Sequence, residues 1–301
     1  MTRTSHGSHL VERAVEAMGT LDGLVIPKTA ARPNPPGGNA ENAPAGYHDA
    51  SPPPPSHPAA SSPQPVLGLD ALTRAGLVAR PTRARGRMSE EISVVQNQVL
   101  RTMKGAAPGG SQARIALITS AKPGEGKTFT ALNIAASLAT SGAQHVVLVD
   151  ADSKQGSLTH LLGLSDAAGL RAFAENSRLG PDEFLRRTEV NQLLFMPYGA
   201  APPNGPDVPA GAAMAAAIQR LSQALPEHAI IVDMPPCLST SDPSTLAPIA
   251  GQVVMVVEAE CTQRDELETA LDMVEACPVI QLLLNKAQLT ASSTFGVYSD
   301  A

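Results

Sequence analysis

The sequence predicts an α/β protein in which a mostly parallel sheet carries helices on both of its faces. Apolar runs rich in β-branched residues alternate with helix-length segments from Ile115 to Leu284, which is typical of buried parallel strands and their crossover helices. A glycine-rich turn stands directly between the first apolar run and the helical segment that follows it. The alternation and the turn together favour a sheet covered on both sides.

The apolar runs and their spacing define the predicted elements. Six runs are predicted as strands: Ile115–Thr119, Val146–Val149, Leu193–Met196, Ile230–Val232, Val253–Val257 and Val279–Leu284. Three helices are predicted from apolar residues that recur at helical spacing: Met88–Met103, Phe129–Thr140 and Thr262–Ala276. At the start of the last helix, Thr262 and Asp265 have the spacing of a capping box.

Composition divides the chain into a short helical segment, a proline-rich linker, a folded domain and a flexible tail. These parts are predicted at residues 1–26, 27–65, 66–290 and 291–301. The first contains a helix with one apolar face, Ser8–Met18, which is either a frayed terminus or a docking helix. Eleven of the 27 prolines lie between Pro33 and Pro65, so a disordered, partly polyproline linker is expected there. Residues 66–103 are expected to pack as an N-terminal extension of the folded domain.

The overall composition excludes several classes of protein. Aromatic residues make up 3% of the chain, too few for a protein that stacks single-stranded bases on aromatic rings. Three cysteines without close pairs do not form a disulfide scaffold. The net charge of −6 gives no electrostatic case for binding nucleic acid. No apolar run is long enough to span a bilayer and the N-terminus does not resemble a signal peptide, so a cytoplasmic protein is expected.

The segment Ala121–Thr128 has the spacing of a phosphate-binding loop, with Ala121 in place of the first glycine. Gly124 and Gly126 allow the backbone amides to turn inward around a phosphate, and the amino end of the next helix adds positive charge. Lys127, which we predict as a catalytic residue, would contact the β and γ phosphates of a nucleotide. The Thr128 hydroxyl would bind Mg²⁺.

Two further strands end in aspartates. Asp150 and Asp152 follow the strand Val146–Val149, and Asp233 follows the strand Ile230–Val232. Because the carboxyl ends of parallel strands form one edge of the sheet, these carboxylates are expected beside the loop. Carboxylates there can bind Mg²⁺ or accept the proton of a hydroxyl group. We therefore predict Asp150 and Asp152 as catalytic residues and metal ligands, and Asp233 as a metal ligand.

These motifs resemble those of the deviant-Walker P-loop ATPases, and within them the bacterial tyrosine kinases of capsule and exopolysaccharide biosynthesis. The most specific element is Pro123–Lys127, with Lys122 as a second lysine in the loop. The segments 10–14, 69–72 and 75–78 are similar to the exosortase-associated branch. The resemblance implies a P-loop NTPase fold that binds ATP and Mg²⁺. The implied nucleotide-binding residues are Lys122, Gly124, Glu125, Gly126, Lys127, Thr128, Phe129 and Asn285, the last at a position where Asn contacts adenine.

The resemblance also implies an activity and partners. The protein would be a tyrosine autokinase that regulates polymer length or export, with Tyr298 in the tail as phosphoacceptor. A membrane-embedded co-polymerase or chain-length determinant protein would recruit it to the inner face of the cell membrane. Copies of the chain would associate into a homo-oligomer. Neither nucleic acid nor a metal other than Mg²⁺ is expected as a partner.

Two features depart from the bacterial tyrosine kinases. Their subunit-contact helix carries Glu-x-x-Arg-x-x-Arg, whereas here Glu90 is followed at the arginine positions by Ser93 and Gln96, which cannot form a bidentate ion pair. The tail is also poor in tyrosine: Tyr298 follows the last predicted strand, while Tyr47 and Tyr198 lie elsewhere.

These departures leave three hypotheses open. The chain is a tyrosine autokinase, an ATPase of the same branch that phosphorylates little, or a nucleotide-switched binding protein without sustained catalysis. A DNA-partition or septum-site type of ATPase is a further alternative, against which the acidic charge balance argues.

Overall fold

The computed structural model describes residues 66–78, 86–105, 110–142, 144–200 and 211–287. The predicted N-terminal helix Ser8–Met18, the proline-rich linker and the tail with Tyr298 lie outside these residues. None of the described helices is both long enough and apolar enough to cross a membrane.

A seven-stranded sheet forms the centre of the domain. Its strands are β1 (Ile115–Ser120), β2 (His145–Asp150), β3 (Arg186–Arg187), β4 (Leu193–Met196), β5 (His228–Asp233), β6 (Gln252–Glu258) and β7 (Ile280–Asn285). They lie in the order β3-β4-β2-β5-β1-β6-β7, and all neighbours are parallel except β3 and β4. The mostly parallel α/β fold predicted from the sequence is confirmed. The two-residue edge strand β3 was not predicted, because two residues carry no periodicity.

Helices cover both faces of the sheet. In chain order they are α1 (Leu69–Arg74), α2 (Arg87–Gly105), α3 (Lys127–Thr140), α4 (Leu158–Leu161), α5 (Leu170–Glu175), α6 (Gly211–Ala224), α7 (Asp242–Leu246) and α8 (Arg264–Asp272). Helices α1 to α4 share one core with alternate strand residues such as Ile118 and Leu148. The other four pack on the opposite face against their neighbours, including Leu117 and Val149. The central strands are thus apolar on both sides, which explains their continuous apolar runs.

The segment before β1 packs on the domain as predicted. Leu72 of α1 and Val99 of α2 are completely buried in the core shared with α3. The side chain of Asn133 in α3 accepts a hydrogen bond from the Val78 amide and donates one to the Gly76 carbonyl. These bonds satisfy the backbone of the turn after α1, so α3 fixes the position of the extension.

The predicted start of α8 is wrong. The capping box is formed by Gln263 and Glu266, one residue later than the predicted pair Thr262 and Asp265. The Thr262 hydroxyl is used elsewhere, since it accepts a hydrogen bond from the Glu258 amide and donates one to Glu125. Because the Thr262 hydroxyl already donates to Glu125 and accepts from the Glu258 amide, Gln263 caps the helix instead.

Gln96, which stands at the second arginine position of the subunit-contact motif, faces the interior of the domain. It is 6% exposed, accepts a hydrogen bond from the Ser137 hydroxyl at 2.8 Å and donates one to Ser141 at 3.3 Å. This residue therefore joins α2 to α3 within one chain.

Candidate functional site

The predicted phosphate-binding loop lies at the carboxyl end of β1 and leads directly into α3. Gly124 and Gly126 have φ angles of 92° and 100°, in the region that glycine adopts without strain. The loop borders a cavity of about 290 Å³, whose opposite wall contains Asp152 and the segment 154–157. Lys127 and Thr128 line this cavity, as a phosphate-binding role requires.

Lys127 is the main positive charge at the base of this cavity. Its Nζ atom lies 2.8 Å from Asp152 Oδ2 and 3.9 Å from Asp233 Oδ1, and it donates to the Thr128 hydroxyl at 3.2 Å. Burial opposes the charge of Lys127, but the carboxylates of Asp233 and Asp152 outweigh it and raise the pKa of the lysine above its usual value. The ammonium group is thus charged and placed between two carboxylates.

Asp233, at the end of β5, is completely buried, and neither of its oxygens has a hydrogen-bond partner among the described residues. Burial raises its pKa to about 7, although Lys127 acts against this shift. A buried carboxylate without hydrogen bonds is costly unless it binds a cation, and the Lys127 ammonium group lies no closer than 3.9 Å. Asp233, Asp152 and the Thr128 hydroxyl together supply the few hard oxygen ligands that suit Mg²⁺ when phosphates and water complete its shell.

Asp150 and Asp152 have different surroundings, although the sequence placed them two residues apart. Strand β2 ends at Asp150, so the shared strand face expected for the pair does not extend to Asp152. Both oxygens of Asp150 accept backbone hydrogen bonds, from Asp152 at 3.0 Å and from Thr159 at 2.7 Å. Asp150 therefore fixes the segment that presents Asp152, while Asp152 itself faces Lys127 and the cavity.

Glu125 and Lys122 turn away from the cavity toward the ends of β6 and β7. The Glu125 carboxylate accepts hydrogen bonds from the Lys122 amide and from Thr262. The Lys122 ammonium lies 2.7 Å from Glu266 of α8, and this hydrogen bond raises the pKa of Lys122 and lowers that of Glu266. Lys122 thus contacts α8 and is not among the residues that line the phosphate cavity.

Asn285 and Phe129 lie at the other end of the loop. The Asn285 amide donates to the Glu125 carbonyl at 2.8 Å, and a Cβ atom on Gly126 would collide with the same amide nitrogen. Both Phe129 and Asn285 line a mostly apolar cavity of about 100 Å³, together with Met88 and Ile92 of α2. The structure thus brings Asn285 against the phosphate-binding loop and places Phe129 in the cavity beside α2.

Some residues of the site were not predicted. Thr159 and Glu266 belong to no recognised motif, and Thr262 was predicted only as a helix cap. Their contacts arise where separate strands and helices meet. Lys154 borders the cavity and donates its backbone amide to Asp152 at 3.1 Å. Its position two residues after Asp152 was the one available sequence signal.

The comparison with protein families decides the classification. The family model named ParA, described as NUBPL iron-transfer P-loop NTPase, matches residues 111–292. The chain belongs to this family of P-loop NTPases. The matched region contains the loop, the three aspartates and Asn285. Family membership implies a nucleotide-binding site that works with a divalent cation.

Individual relatives agree with the predicted resemblance. YwqD, a tyrosine-protein kinase of Bacillus subtilis, is 26% identical over 67% of this chain and 85% of its own length. AmsA of Erwinia amylovora is 29% identical over 59% of this chain and 24% of its own length, so the chain spans about a quarter of AmsA. The kinase domain of the Escherichia coli tyrosine kinase ETK superimposes with a TM-score of 0.51 at 20% identity, covering 69% of this chain and 80% of that domain. The resemblance to bacterial tyrosine kinases is confirmed, as is the fold.

Proposed function

We propose that this ParA-family protein binds ATP with Mg²⁺ and transfers the γ-phosphoryl group to tyrosine. The observation that carries the proposal is the arrangement around Lys127, whose ammonium group lies between Asp152 and the buried Asp233. A cation and two carboxylates beside a phosphate-binding loop supply the charges that phosphoryl transfer requires.

The metal ligands would be Thr128, Asp152 and Asp233. Neither oxygen of Asp233 accepts a hydrogen bond from the part of the chain that the structure describes. When bound, Mg²⁺ neutralises charge on the β and γ phosphates. Asp150 was predicted in the same ligand set, yet both of its oxygens already accept backbone amides. In this proposal Asp150 holds the Asp152 segment in place.

Asp152 is the proposed general base. The tyrosine oxygen attacks the γ-phosphorus, the bond to the β-phosphate oxygen breaks to release ADP, and the tyrosine proton passes to Asp152. In the described structure the Lys127 ammonium group forms an ion pair with this carboxylate, with 2.8 Å between Nζ and Oδ2. Binding of ATP would draw the Lys127 ammonium toward the phosphates and leave Asp152 available to accept the proton.

The acceptor and the cellular role are proposed from the sequence and the relatives. Of the three tyrosines, Tyr198 is buried and Tyr47 and Tyr298 lie outside the described residues. We assign Tyr298 as the acceptor, presented by a neighbouring copy of the chain. Relatives named as tyrosine-protein kinases include CpsD of Streptococcus agalactiae. We propose that the protein regulates exopolysaccharide or capsule biosynthesis or export at the inner face of the membrane, with a membrane-embedded co-polymerase as activator.

The shortage of tyrosines favours a second candidate. With Tyr198 buried and a single tyrosine in the tail, the same site could hydrolyse ATP or act as a nucleotide switch. In the ATPase, water replaces tyrosine as the acceptor, and in the switch no phosphoryl group is transferred. The roles of Lys127, Thr128 and Asp233 toward the nucleotide are the same in both.

One experiment distinguishes these candidates. The full chain is incubated with γ-labelled ATP and Mg²⁺, with and without the cytoplasmic part of its membrane partner, beside the variants K127A and Y298F. Label on tyrosine that disappears in both variants supports the kinase with Tyr298 as acceptor. Label that persists in Y298F assigns another acceptor. Release of phosphate without labelled protein supports the ATPase, and nucleotide binding without turnover supports the switch.

A further inference from the structure

Glu125 is a charged residue inside the phosphate-binding loop, and it is 2% exposed. One carboxylate oxygen accepts the Lys122 amide at 2.8 Å and the other accepts the Thr262 hydroxyl, while its carbonyl oxygen accepts the Asn285 amide. The residue between the two loop glycines is therefore bonded on three sides. Since Gly124 and Gly126 give the backbone its freedom, these three bonds restrict it.

Of the two groups that bond the Glu125 carboxylate, the Thr262 hydroxyl comes from farther along the chain than the Lys122 amide. Its hydroxyl accepts a hydrogen bond from the Glu258 amide at 3.1 Å, so its oxygen is fixed, and its single proton is directed to Glu125. A charge-assisted bond of this kind is stronger than one between neutral groups. Thr262 thus links the end of β6 to the centre of the loop.

The helix that follows does not need the Thr262 hydroxyl. Gln263 and Glu266 form the capping box of α8, and Glu266 also pairs with Lys122 of the loop. The bond from Thr262 to Glu125 consequently contributes to the loop and not to the start of α8.

We propose that Thr262 is a positioning residue for the nucleotide, one that holds Glu125 and thereby keeps the loop amides in the phosphate-binding conformation. The inference rests on the proposed function, since it concerns how the same loop binds nucleotide. Without the hydroxyl, one oxygen of a buried carboxylate loses its partner, and the loop conformation that buries Glu125 becomes less favourable. Nucleotide would then have to order the loop as it binds, which weakens affinity.

The test compares two substitutions at this position with one elsewhere on α8. Thr262→Val keeps the shape and removes the hydroxyl, Thr262→Ser keeps the hydroxyl, and Thr269→Val removes a hydroxyl that bonds only the carbonyl of Asp265 within the helix. Binding of a fluorescent ATP analogue with Mg²⁺ is measured on the full chain. We expect Kd to rise about tenfold in T262V, the equivalent of about 1.4 kcal/mol, and to stay within about twofold of wild type in T262S and T269V.

A double-mutant cycle with Glu125→Gln separates positioning from a general loss of structure. If Thr262 acts through Glu125, adding T262V to E125Q raises Kd far less than adding it to wild type. In steady state, the KM for ATP rises in T262V while kcat at saturating ATP is unchanged, and T262S restores KM. Three results would each overturn the inference. They are an unchanged Kd in T262V, additive effects in the cycle, and a loss of nucleotide affinity in T262S or T269V as large as that in T262V.

The binding assay also separates this inference from the proposed function. If wild type binds the analogue but labels no tyrosine, the kinase proposal fails while the comparison of T262V with T262S still decides on Thr262. If wild type does not bind the analogue, both proposals fail.

Discussion

The ammonium nitrogen of Lys127 lies 2.8 Å from Asp152 Oδ2 and 3.9 Å from Asp233 Oδ1. The lysine thus neutralises two carboxylates, one in the segment that follows β2 and one at the end of the neighbouring strand β5. A nucleotide that attracts the ammonium group would expose Asp152 to its acceptor and Asp233 to a cation. The three side chains consequently act as one unit. Their substitutions should affect different properties of the protein, and by different amounts.

Asp152→Asn should separate nucleotide binding from phosphoryl transfer. The amide keeps a neutral contact with Lys127 but accepts no proton, so we expect the transfer rate to fall by about 10²- to 10⁴-fold. Binding of ATP should persist, because Lys127 remains charged and Thr128 and Asp233 remain to hold Mg²⁺. Rapid-quench measurement of labelled tyrosine and equilibrium binding test this, with K127A as the control that loses binding. Loss of binding in D152N would assign Asp152 chiefly to the metal.

Asp233→Asn should change how stability depends on pH. The pKa of Asp233 is raised to about 7 by burial, so between the ordinary carboxyl value and pH 7 the folded chain holds a proton that the unfolded chain has lost. Stability therefore falls as pH rises through this range, by at most about 1.4 kcal/mol per unit, and levels off above pH 7. The asparagine variant lacks this contribution.

The measurement is urea unfolding of wild type and D233N without Mg²⁺ or nucleotide, from pH 5 to pH 8. The difference between the two removes the contribution of groups that do not interact with Asp233 and retains that of Asp233 and its charged neighbours. We expect D233N to gain relative stability as pH rises. A difference that does not change with pH would contradict a buried Asp233 carboxyl group whose pKa is raised.

Gly126→Ala should be more damaging than Gly124→Ala, although both glycines have φ angles near 100°. Each alanine costs about 1–2 kcal/mol for the left-handed conformation. At Gly126 the new Cβ would also collide with the Asn285 amide, whereas nothing lies within 4 Å at Gly124. Nucleotide affinity and thermal stability should therefore drop further in G126A.

The double variant G126A/N285A tests the cause of that difference. Removing the Asn285 amide relieves the collision, so it should restore part of the stability lost in G126A. If N285A and G126A add without interaction, the extra damage does not come from this contact.

The sequence predicted the sheet well because its signals are local. Six of seven strands were found from continuous apolar runs, and the loop from glycine spacing next to β1. The short helices α1, α4, α5 and α7 were not predicted, since four to six residues hold too little periodicity. The longer helix α6 was not predicted either. The same local reasoning misplaced the cap of α8, because the bond from Thr262 to Glu125 spans 137 residues.

The site was predicted in its members but not in its contacts. Motif spacing identified Lys127, Asp152 and Asp233, which the fold brings together. It could not show that Asp150 spends both oxygens on backbone amides, or that Lys122 pairs with Glu266. Those contacts depend on where β2 ends and on how α8 packs, and the spacing of a motif predicts neither.

Gln96→Arg, which introduces the arginine of the subunit-contact motif at this position, should destabilise the chain instead of promoting assembly. Gln96 is buried and bonded to Ser137 and Ser141 of the α3 end. An arginine there places a charge without a carboxylate partner in the core, and it leaves the Ser137 hydroxyl without its acceptor. We expect the free energy of unfolding to fall by about 2–3 kcal/mol.

Urea unfolding measures this loss, and light scattering measures the oligomeric state. The matched control is Asn97→Arg, which adds the same charge at the exposed neighbouring position of α2 and should change stability by less than about 0.5 kcal/mol. If Q96R were as stable as N97R and formed larger assemblies, the Gln96 side would be an interface between subunits. The bonds from Gln96 to α3 argue against that result, because the same side chain cannot satisfy those hydroxyls and also reach a second copy.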